Sequence, residues 1–194
     1  MDKNVLYLTA EILGVVSGIL YVWLTARANI LCWPAGLLNI ASYIIVFYEA
    51  KLYADMGLQG IYIVLTVYGW VVWRHGDGNV KKRKISNVPR VELLATAVAV
   101  AIIWLCVWHI LHTYTDGEVT WADSFLMAAS CGATWLAARK YIANWVWWII
   151  IDTLYTPLYL YKQLYLTAAL YVLFGIIAWR GYNIWRVKSA EVYI

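Results

Sequence analysis

The stretch NWVWWIIIDTLYTPLY, residues 144–159, decides how this chain folds. It is apolar enough to form a helix that spans a membrane, yet it carries one aspartate, Asp152, about halfway along that helix. A charge at the bilayer centre costs about 2.5–3.5 kcal/mol on insertion scales, so Asp152 must face a cavity or a partner rather than lipid. The stretch therefore predicts a membrane helix that has one polar, functional face.

The whole chain has the composition of an integral membrane protein. Of its 194 residues, 64% are hydrophobic and 13% are charged, which is more apolar surface than a soluble domain can hide. A spanning helix needs about 20 mostly apolar residues. Seven windows approach that length: 5–24, 32–49, 52–73, 91–111, 121–138, 142–161 and 163–185. They nearly exhaust the chain, so an all-α membrane protein without a soluble catalytic domain is predicted.

The basic residues predict an orientation in the membrane. When the loops are assigned alternately to two sides, twelve of the 15 Lys and Arg residues fall on one side. The positive-inside rule places that side in the cytosol, with the N-terminus outside and the C-terminus inside. The run KKRK at 81–84 is interpreted as a topology determinant beside anionic lipid. Membrane lipid is thus a predicted partner, and nucleic acid is not.

The chain also contains an internal repeat. Shifted by 112 residues without gaps, it matches itself at 13 of 52 positions, several of them Trp, Tyr, Gly or Arg. Shared hydrophobicity alone would favour matches among Leu, Ile, Val and Ala, so a duplicated three-helix unit is predicted. The most informative pairs are Trp23 and Trp135, Arg27 and Arg139, Trp33 and Trp145, Tyr43 and Tyr155, Gly69 and Gly181, and Trp73 and Trp185.

The predicted organisation follows from the odd number of helices in each unit. Residues 1–74 form the first repeat, 75–120 a basic loop and a linker helix, and 121–194 the second repeat with a short tail. Because three is odd, the linker helix is needed to insert both repeats in the same direction. The result is a parallel 3+1+3 arrangement, a transporter architecture in which substrate binds near the midplane between the halves.

Five residues of the sixth helix form one stripe. Trp145, Trp148, Asp152, Tyr155 and Tyr159 are separated by 3, 4, 3 and 4 positions, which places them on one helix face. Aromatic faces around a carboxylate suit a flat, cationic ligand, because the rings supply stacking and cation–π attraction and the acid supplies a counter-charge. The alternative is that the first tryptophans anchor the helix at the interface and Asp152 pairs with another helix or carries a proton.

Polar positions on three other helices are predicted to line the same cavity. Each of them alone is also explained by interhelical hydrogen bonding, worth under about 1 kcal/mol. On the second and fifth helices two such residues lie one turn apart, and on the third helix a longer set alternates in steps of 4 and 3. They are Asn39 and Tyr43 of the second helix, Ser130 and Thr134 of the fifth helix, and Asp55, Gln59, Tyr62, Thr66, Gly69 and Trp73 of the third helix.

Two long segments resemble the Pnu family of bacterial vitamin transporters. They are WPAGLLNIASYIIVFYEAKLYADMGLQGIYIVLTVYGWVVW, residues 33–73, and ARKYIANWVWWIIIDTLYTPLYLYKQLYLTAALYVLFGIIAWRGY, residues 138–182. The resemblance runs from about residue 11 to residue 186. The Trp-x-x-Trp pair at 145 and 148 and the stretch KLYADMGLQ at 51–59 are its most specific parts.

The resemblance implies a fold and an activity. The fold is a seven-helix, 3+1+3, full-length relative of the SWEET transporters. The activity is facilitated diffusion of an unphosphorylated vitamin, which a cytosolic kinase then traps without implied direct contact. Family sites use the tryptophan pair with polar residues of the second, third and fifth helices: here Trp145, Trp148, Asn39, Gln59, Ser130 and Thr134. A glutamine often stands where this chain has Thr134.

Members of the family typically take up nicotinamide riboside, while others are associated with thiamine or riboflavin. Nicotinamide riboside and thiamine are both flat cations that suit the Asp152 stripe, whereas riboflavin is neutral and larger and fits it less well. The frequency of nicotinamide riboside among family substrates makes it the predicted substrate, with thiamine as the alternative. A proton-coupled carrier that uses Asp152 is a second alternative. Two alternatives to a transporter are a membrane enzyme built on His109 and His112, and a structural protein that its tryptophans anchor in the membrane. A non-enzymatic transporter of the inner membrane without cofactor or metal is predicted, and a homo-oligomer is left open.

Overall fold

The computed structural model describes residues 3–49, 53–76, 83–114, 120–161, 163 and 165–190. These residues form seven α-helices and no strand beyond one isolated β-bridge, as the all-α prediction requires. The bounds follow the predicted windows, except that the last helix continues to residue 190. The helices are α1 Lys3–Ala26, α2 Cys32–Glu49, α3 Tyr53–His75, α4 Arg90–Tyr114, α5 Thr120–Ala138, α6 Ala143–Tyr161 and α7 Tyr165–Ala190.

Two of the described helices are long and apolar enough to span a membrane by length and composition alone. They are the Val5–Ala26 part of α1 and the whole of α4. Most side chains of α4 are exposed, including Val91, Leu94 and Val98, as expected for a helix that faces lipid. The other described helices are shorter or more polar, and for them length and composition alone do not show whether they span a membrane.

The chain divides into two compact units, Met1–Arg83 and Lys84–Ile194. In the first unit, α2 contacts both α1 and α3. In the second unit, α5 contacts α4 and α6, and α6 also contacts α7. The predicted linker helix α4 thus packs within the second unit. The division into two repeats joined by a linker, and the parallel relation of the repeats, stay predictions.

The turn after the first helix of each predicted repeat has the same backbone path. Ala28 and Lys140, which lie 112 positions apart, both have a φ of 55°. The Ala28 N–H donates to the Thr25 carbonyl at 2.8 Å, and the Lys140 N–H donates to the Ala137 carbonyl at 2.9 Å. A left-handed residue directly after a helix is a common way to end it. The shared geometry is what a duplicated unit would produce.

In the first unit, a Trp–Gly–Trp cluster joins α2 to α3. The rings of Trp33 and Trp73 meet edge to face, with centroids 5.3 Å apart and an interplanar angle of 89°. A Cβ on Gly69 would come within 2.2 Å of the Trp33 ring, so only glycine fits there. Trp33 is completely buried as a result.

The second unit repeats this cluster between α6 and α7. Trp145 and Trp185 meet at 5.5 Å and 88°, and a Cβ on Gly181 would lie 2.8 Å from the Trp145 ring. All three residues are the 112-shifted counterparts of the first cluster. Each helix pair can therefore approach closely only because a glycine faces a tryptophan.

A short segment before α4 is tied to the turn between α5 and α6. Ser86 pairs with this turn, residues 139–142, through two backbone hydrogen bonds of 3.2 and 3.0 Å. The Tyr141 hydroxyl donates to one carboxylate oxygen of Glu92, and the Arg139 guanidinium lies 3.0 Å from the other. These contacts hold the start of α6 in place, which is where the aromatic stripe begins.

Candidate functional site

The candidate site is built around Asp152 on α6. Its side chain is buried, with 4% of its surface exposed. Within the part of the chain that the structure describes, no hydrogen-bond donor or cation contacts the carboxylate, and the Thr156 hydroxyl donates instead to the Asp152 backbone carbonyl at 2.8 Å. An ionisable side chain inside the membrane is costly, which makes Asp152 a candidate functional residue.

Two tyrosines of α6 continue from Asp152 along the same helix face. The rings of Tyr155 and Tyr159 are stacked, with centroids 5.5 Å apart and an angle of 19°. Both also contact Tyr171 of α7, at 4.6 Å and 5.1 Å. The three rings form an aromatic cluster that begins about one helical turn from Asp152, at Tyr155, and extends to Tyr159, about two turns away.

Towards the start of α6 the same face also meets α7. A Cβ placed on Gly175 would lie 3.8 Å from the Cβ of Asp152. About two turns before Asp152 on α6, Trp145 contacts Trp185. Four of the five stripe residues, Trp145, Asp152, Tyr155 and Tyr159, therefore meet α7, as their spacing predicts for a shared face.

Trp148 lies at the side of this face that is closer to α5. It packs against an apolar cluster formed by Val100, Leu126, Ala128, Ala129, Ala133 and Ile151. In the first repeat, the position equivalent to Trp148 is Gly36, and a Cβ there would come within 3.0 Å of the Tyr21 ring. The position equivalent to Tyr21 in the second repeat is Ala133. The second unit thus carries its ring on α6 and a small residue on α5, whereas the first unit does the reverse.

The predicted polar pair of α5 is buried in the second unit. The Ser130 hydroxyl donates to the Leu126 carbonyl and the Thr134 hydroxyl to the Ser130 carbonyl, both at 2.8 Å. Ser130 also lies beside the Tyr155 side chain, which brings α5 to the edge of the stripe. Since both protons are used within the helix, these hydroxyls have only acceptor capacity for a ligand.

In the first unit, the predicted residues of α2 pack against α1. The Asn39 amide donates to the Gly14 carbonyl at 2.7 Å and would touch a Cβ on Gly18. Tyr43 covers Gly14, and its ring lies 5.6 Å from that of Phe47. Asn39 and Tyr43 therefore hold two helices together, and their contact with substrate stays a prediction.

The predicted face of α3 is partly described. Gln59 and Tyr62 are half-buried, and the buried Thr66 would contact a Cβ on Gly36 at 3.5 Å. The side chain of Asp55 lies outside the described residues. Substrate contact by Gln59 and Tyr62 also stays a prediction.

The sequence-based site did not include α7, although Tyr171 and Gly175 both border the stripe. One signal could have identified the first of them. The 112-residue offset equates Tyr171 with Gln59, which was itself a predicted site residue. The repeat therefore relates a predicted site position of the first unit to Tyr171 of the second.

A metal centre is not formed by the described part of the chain. Within it, no group of three His, Cys, Asp or Glu side chains is placed to hold an ion. His109 and His112 are exposed on α4, and the His112 ring stacks on Trp108 at 5.6 Å. Two acidic residues near these histidines, Asp116 and Glu118, lie outside the described residues.

Comparison with known proteins connects this architecture to a family. The nicotinamide mononucleotide transporter family matches residues 8–187. The chain is similar to the nicotinamide riboside transporter PnuC of Escherichia coli, with 27% identity over an alignment of 207 positions. The alignment covers 93% of this chain and 86% of the relative. It is also similar to the riboflavin/roseoflavin transporter RibM of Streptomyces davaonensis, with 23% identity over 193 residues that cover 97% and 88%.

A solved structure shares the fold. The crystal structure of the vitamin B3 transporter PnuC matches with a TM-score of 0.71 at 21% sequence identity, over 98% of this chain and 91% of that one. This likeness confirms the all-α membrane fold, and the family match confirms that the chain is no enzyme. The chain belongs to the nicotinamide mononucleotide transporter family and is a membrane transporter.

Proposed function

We propose that this protein carries unphosphorylated nicotinamide riboside across the bacterial cytoplasmic membrane into the cell. The observation that carries the proposal is the buried Asp152 carboxylate, which has no partner among the described residues. It lies on a face of α6 that also carries Trp148, Tyr155 and Tyr159. The nicotinamide ring of the substrate is flat and positively charged. It supplies the missing counter-charge and offers its face to the rings.

The charge of Asp152 also discriminates among the substrates that relatives carry. The relatives' names include nicotinamide riboside, a cation, and riboflavin, which is neutral. A neutral ring would leave the carboxylate without a counter-charge after the site is closed to water, and a cation would not. Thiamine, the alternative substrate, satisfies the same requirement, so charge alone does not separate it from nicotinamide riboside.

The absence of basic residues on this face favours the riboside over the mononucleotide. Neither α6 nor residues 165–179 of α7 contain Lys or Arg. A phosphate group is normally bound by such cations or by helix N-termini, and here it would instead lie near the carboxylate of Asp152. The family's description therefore names a phosphorylated compound that this face of the second unit is poorly suited to bind.

We also propose that transport is facilitated diffusion, followed by trapping of the vitamin by a cytosolic kinase. Phosphorylation of the riboside by a cytosolic kinase adds negative charge, and the product no longer fits a site built around a carboxylate. The kinase thus traps the vitamin without needing to touch the transporter. The excess of Lys and Arg on one side supports a cytosolic C-terminus and an external N-terminus.

Calorimetric titration of the detergent-purified protein tests this proposal. Nicotinamide riboside, thiamine, riboflavin and nicotinamide mononucleotide are titrated separately. We expect saturable binding of nicotinamide riboside that is at least tenfold tighter than that of riboflavin and the mononucleotide, and the comparison with thiamine decides between the two cations. Preferential binding of thiamine would select the alternative, whereas preferential binding of riboflavin or the mononucleotide would overturn the charge argument.

A further inference from the structure

The surface that α7 presents to the stripe has not been assigned a role. Tyr171 is the centre of the aromatic cluster, because its ring contacts both Tyr155 and Tyr159 while those two stack on each other. One helical turn further along α7, Gly175 lies opposite Asp152. Tyr171 and Gly175 therefore share one face of α7, and that face meets the carboxylate and its rings.

Gly175 differs from the packing glycines of this fold. A Cβ on Gly181 would overlap the Trp145 ring at 2.8 Å, so that glycine is required for helix contact. A Cβ on Gly175 would meet only the Cβ of Asp152, at an ordinary contact distance of 3.8 Å. Packing against the described residues therefore does not demand a glycine at 175. Because position 175 carries no side chain, α7 places no bulk against the Asp152 side chain at this point.

The internal repeat supplies an independent observation. Tyr171 is the 112-shifted counterpart of Gln59, which the family resemblance marks as a binding position in the first half. The turn geometry and the Trp–Gly–Trp clusters show that several equivalent positions of the two units have equivalent local surroundings, although Gly36 and Trp148 do not. A position that faces substrate in one repeat is therefore expected to face it in the other.

We propose that Tyr171 and Gly175 form a further wall of the substrate site, on α7. The Tyr171 ring contacts the face of a flat cation held by Asp152, and Gly175 leaves the volume that the cation's ring occupies. This inference rests on the proposed function, since it requires a flat, cationic substrate. Tyr171 and Gly175 thus determine specificity: the first by charge through cation–π attraction, the second by size.

The test for Tyr171 compares two ligands of nearly equal size and different charge. They are nicotinamide riboside and its reduced, uncharged dihydro form, titrated against wild type, Tyr171→Leu and Tyr171→Phe. We expect Tyr171→Leu to lose about fivefold in affinity for the cation and less than twofold for the neutral form. Tyr171→Phe keeps a ring and is expected to stay within twofold of wild type for both ligands.

The control for Tyr171 is Tyr161→Leu, which removes an exposed ring of α6 that lies outside the cluster. It should leave both affinities unchanged. If wild type binds the cation and Tyr171→Leu binds both ligands as wild type does, or weakens both equally, the role of Tyr171 is wrong while the proposed function stands. If wild type does not bind the cation, both proposals fail.

The test for Gly175 is Gly175→Ala, with Gly60→Ala as its matched control. A Cβ on Gly60 would meet nothing within 4 Å, so both substitutions fit the protein. We expect Gly175→Ala to keep the thermal midpoint of wild type and to weaken binding of nicotinamide riboside about tenfold, because the methyl group occupies ligand volume. Unchanged affinity in a folded Gly175→Ala protein would show that ligand does not use this space.

Discussion

In the proposed function, Asp152 sets the charge that the second unit can accept. Its carboxylate is buried inside a spanning helix without a partner among the described residues. The cost of that arrangement would be removed by substituting an apolar side chain. Retaining the acid therefore has a reason other than stability. A cationic substrate provides that reason, since it restores the missing counter-charge only when the site is loaded.

At this scale we predict that Asp152→Asn weakens binding of nicotinamide riboside about tenfold, or about 1.4 kcal/mol. Asparagine has the same size and removes only the charge, so the protein should fold and its thermal midpoint should not fall. Calorimetric titration measures the affinity. Binding of the uncharged dihydro form serves as the control and should change less than twofold. Equal affinity of both proteins for the cation would mean that the carboxylate is structural.

At the scale of helices, the tryptophan–glycine contacts explain how α6 and α7 come close enough to form a site. Trp145 is nearly inaccessible, with 1% of its surface exposed, because Gly181 and Trp185 cover it. Its indole N–H has no acceptor among the described residues. Trp145 thus supports the stripe by packing against α7. Its contact with substrate stays a prediction.

We therefore predict that Gly181→Ala destabilises the protein by about 1–3 kcal/mol, the usual effect of overpacking a tight contact. The added Cβ would lie 2.8 Å from three atoms of the Trp145 ring. A thermal unfolding curve in detergent measures the shift. Gly60→Ala is the control, and it should be neutral or stabilising by about 0.5–1 kcal/mol because helix formation improves where space is open. A Gly181→Ala protein as stable as wild type would contradict the packing described.

The tie between the segment before α4 and the start of α6 yields a second prediction at this scale. Tyr141→Phe removes the hydroxyl that donates to Glu92 and should cost about 1–2 kcal/mol of stability, since the acceptor is charged. Hydrogen exchange of the amides of Ser86 and Ile142 should also become faster. Tyr114→Phe alters an exposed tyrosine and should do neither. Unchanged exchange in Tyr141→Phe would show that the backbone bonds alone hold the turn.

At the scale of the whole molecule, the family match makes the protein a carrier, and the proposal of facilitated diffusion concerns its energetics. A carrier without coupling brings its substrate to equal concentration on both sides and no further. Accumulation in the cell then depends on the kinase. Asp152 is the residue through which a proton-coupled mechanism would have to act, because it is the buried acid of the described site.

We predict that purified protein in lipid vesicles equilibrates nicotinamide riboside without accumulating it when an inside-alkaline pH difference is imposed. Vesicles that also contain a riboside kinase and ATP should retain phosphorylated product well above the external concentration. The Asp152→Asn protein should transport more slowly in both assays, and protein-free vesicles provide the background. Accumulation of unmodified substrate driven by the pH difference alone would establish proton coupling instead.

Much of the fold was predictable because a membrane helix can be recognised from the hydrophobicity of its own segment. The length of an apolar window identifies a spanning segment, and all seven windows correspond to helices within a few residues at most ends. The exception is the end of α7, which continues to Ala190 through Arg186 and Lys188. A helix can extend beyond the apolar region into water, where hydropathy no longer reports on it.

Part of the candidate site was predictable for a similar reason. The helical period alone places Asp152, Tyr155 and Tyr159 on one face, and the structure brings those residues together. The period says nothing about which helix lies opposite. Tyr171 and Gly175 were missed because their own helix shows no comparable cluster of polar residues in sequence.

The sequence by itself determined the class of the protein, the number of its helices and which residues of α6 share the face of the candidate site. Each of these depends on properties of one segment: its length, its hydrophobicity and its 3.6-residue period. Only the tertiary structure decided that this face meets Tyr171 and Gly175 of α7 and that Trp148 packs towards α5. Contacts between helices depend on how side chains of both partners fit together, and no single segment encodes that fit.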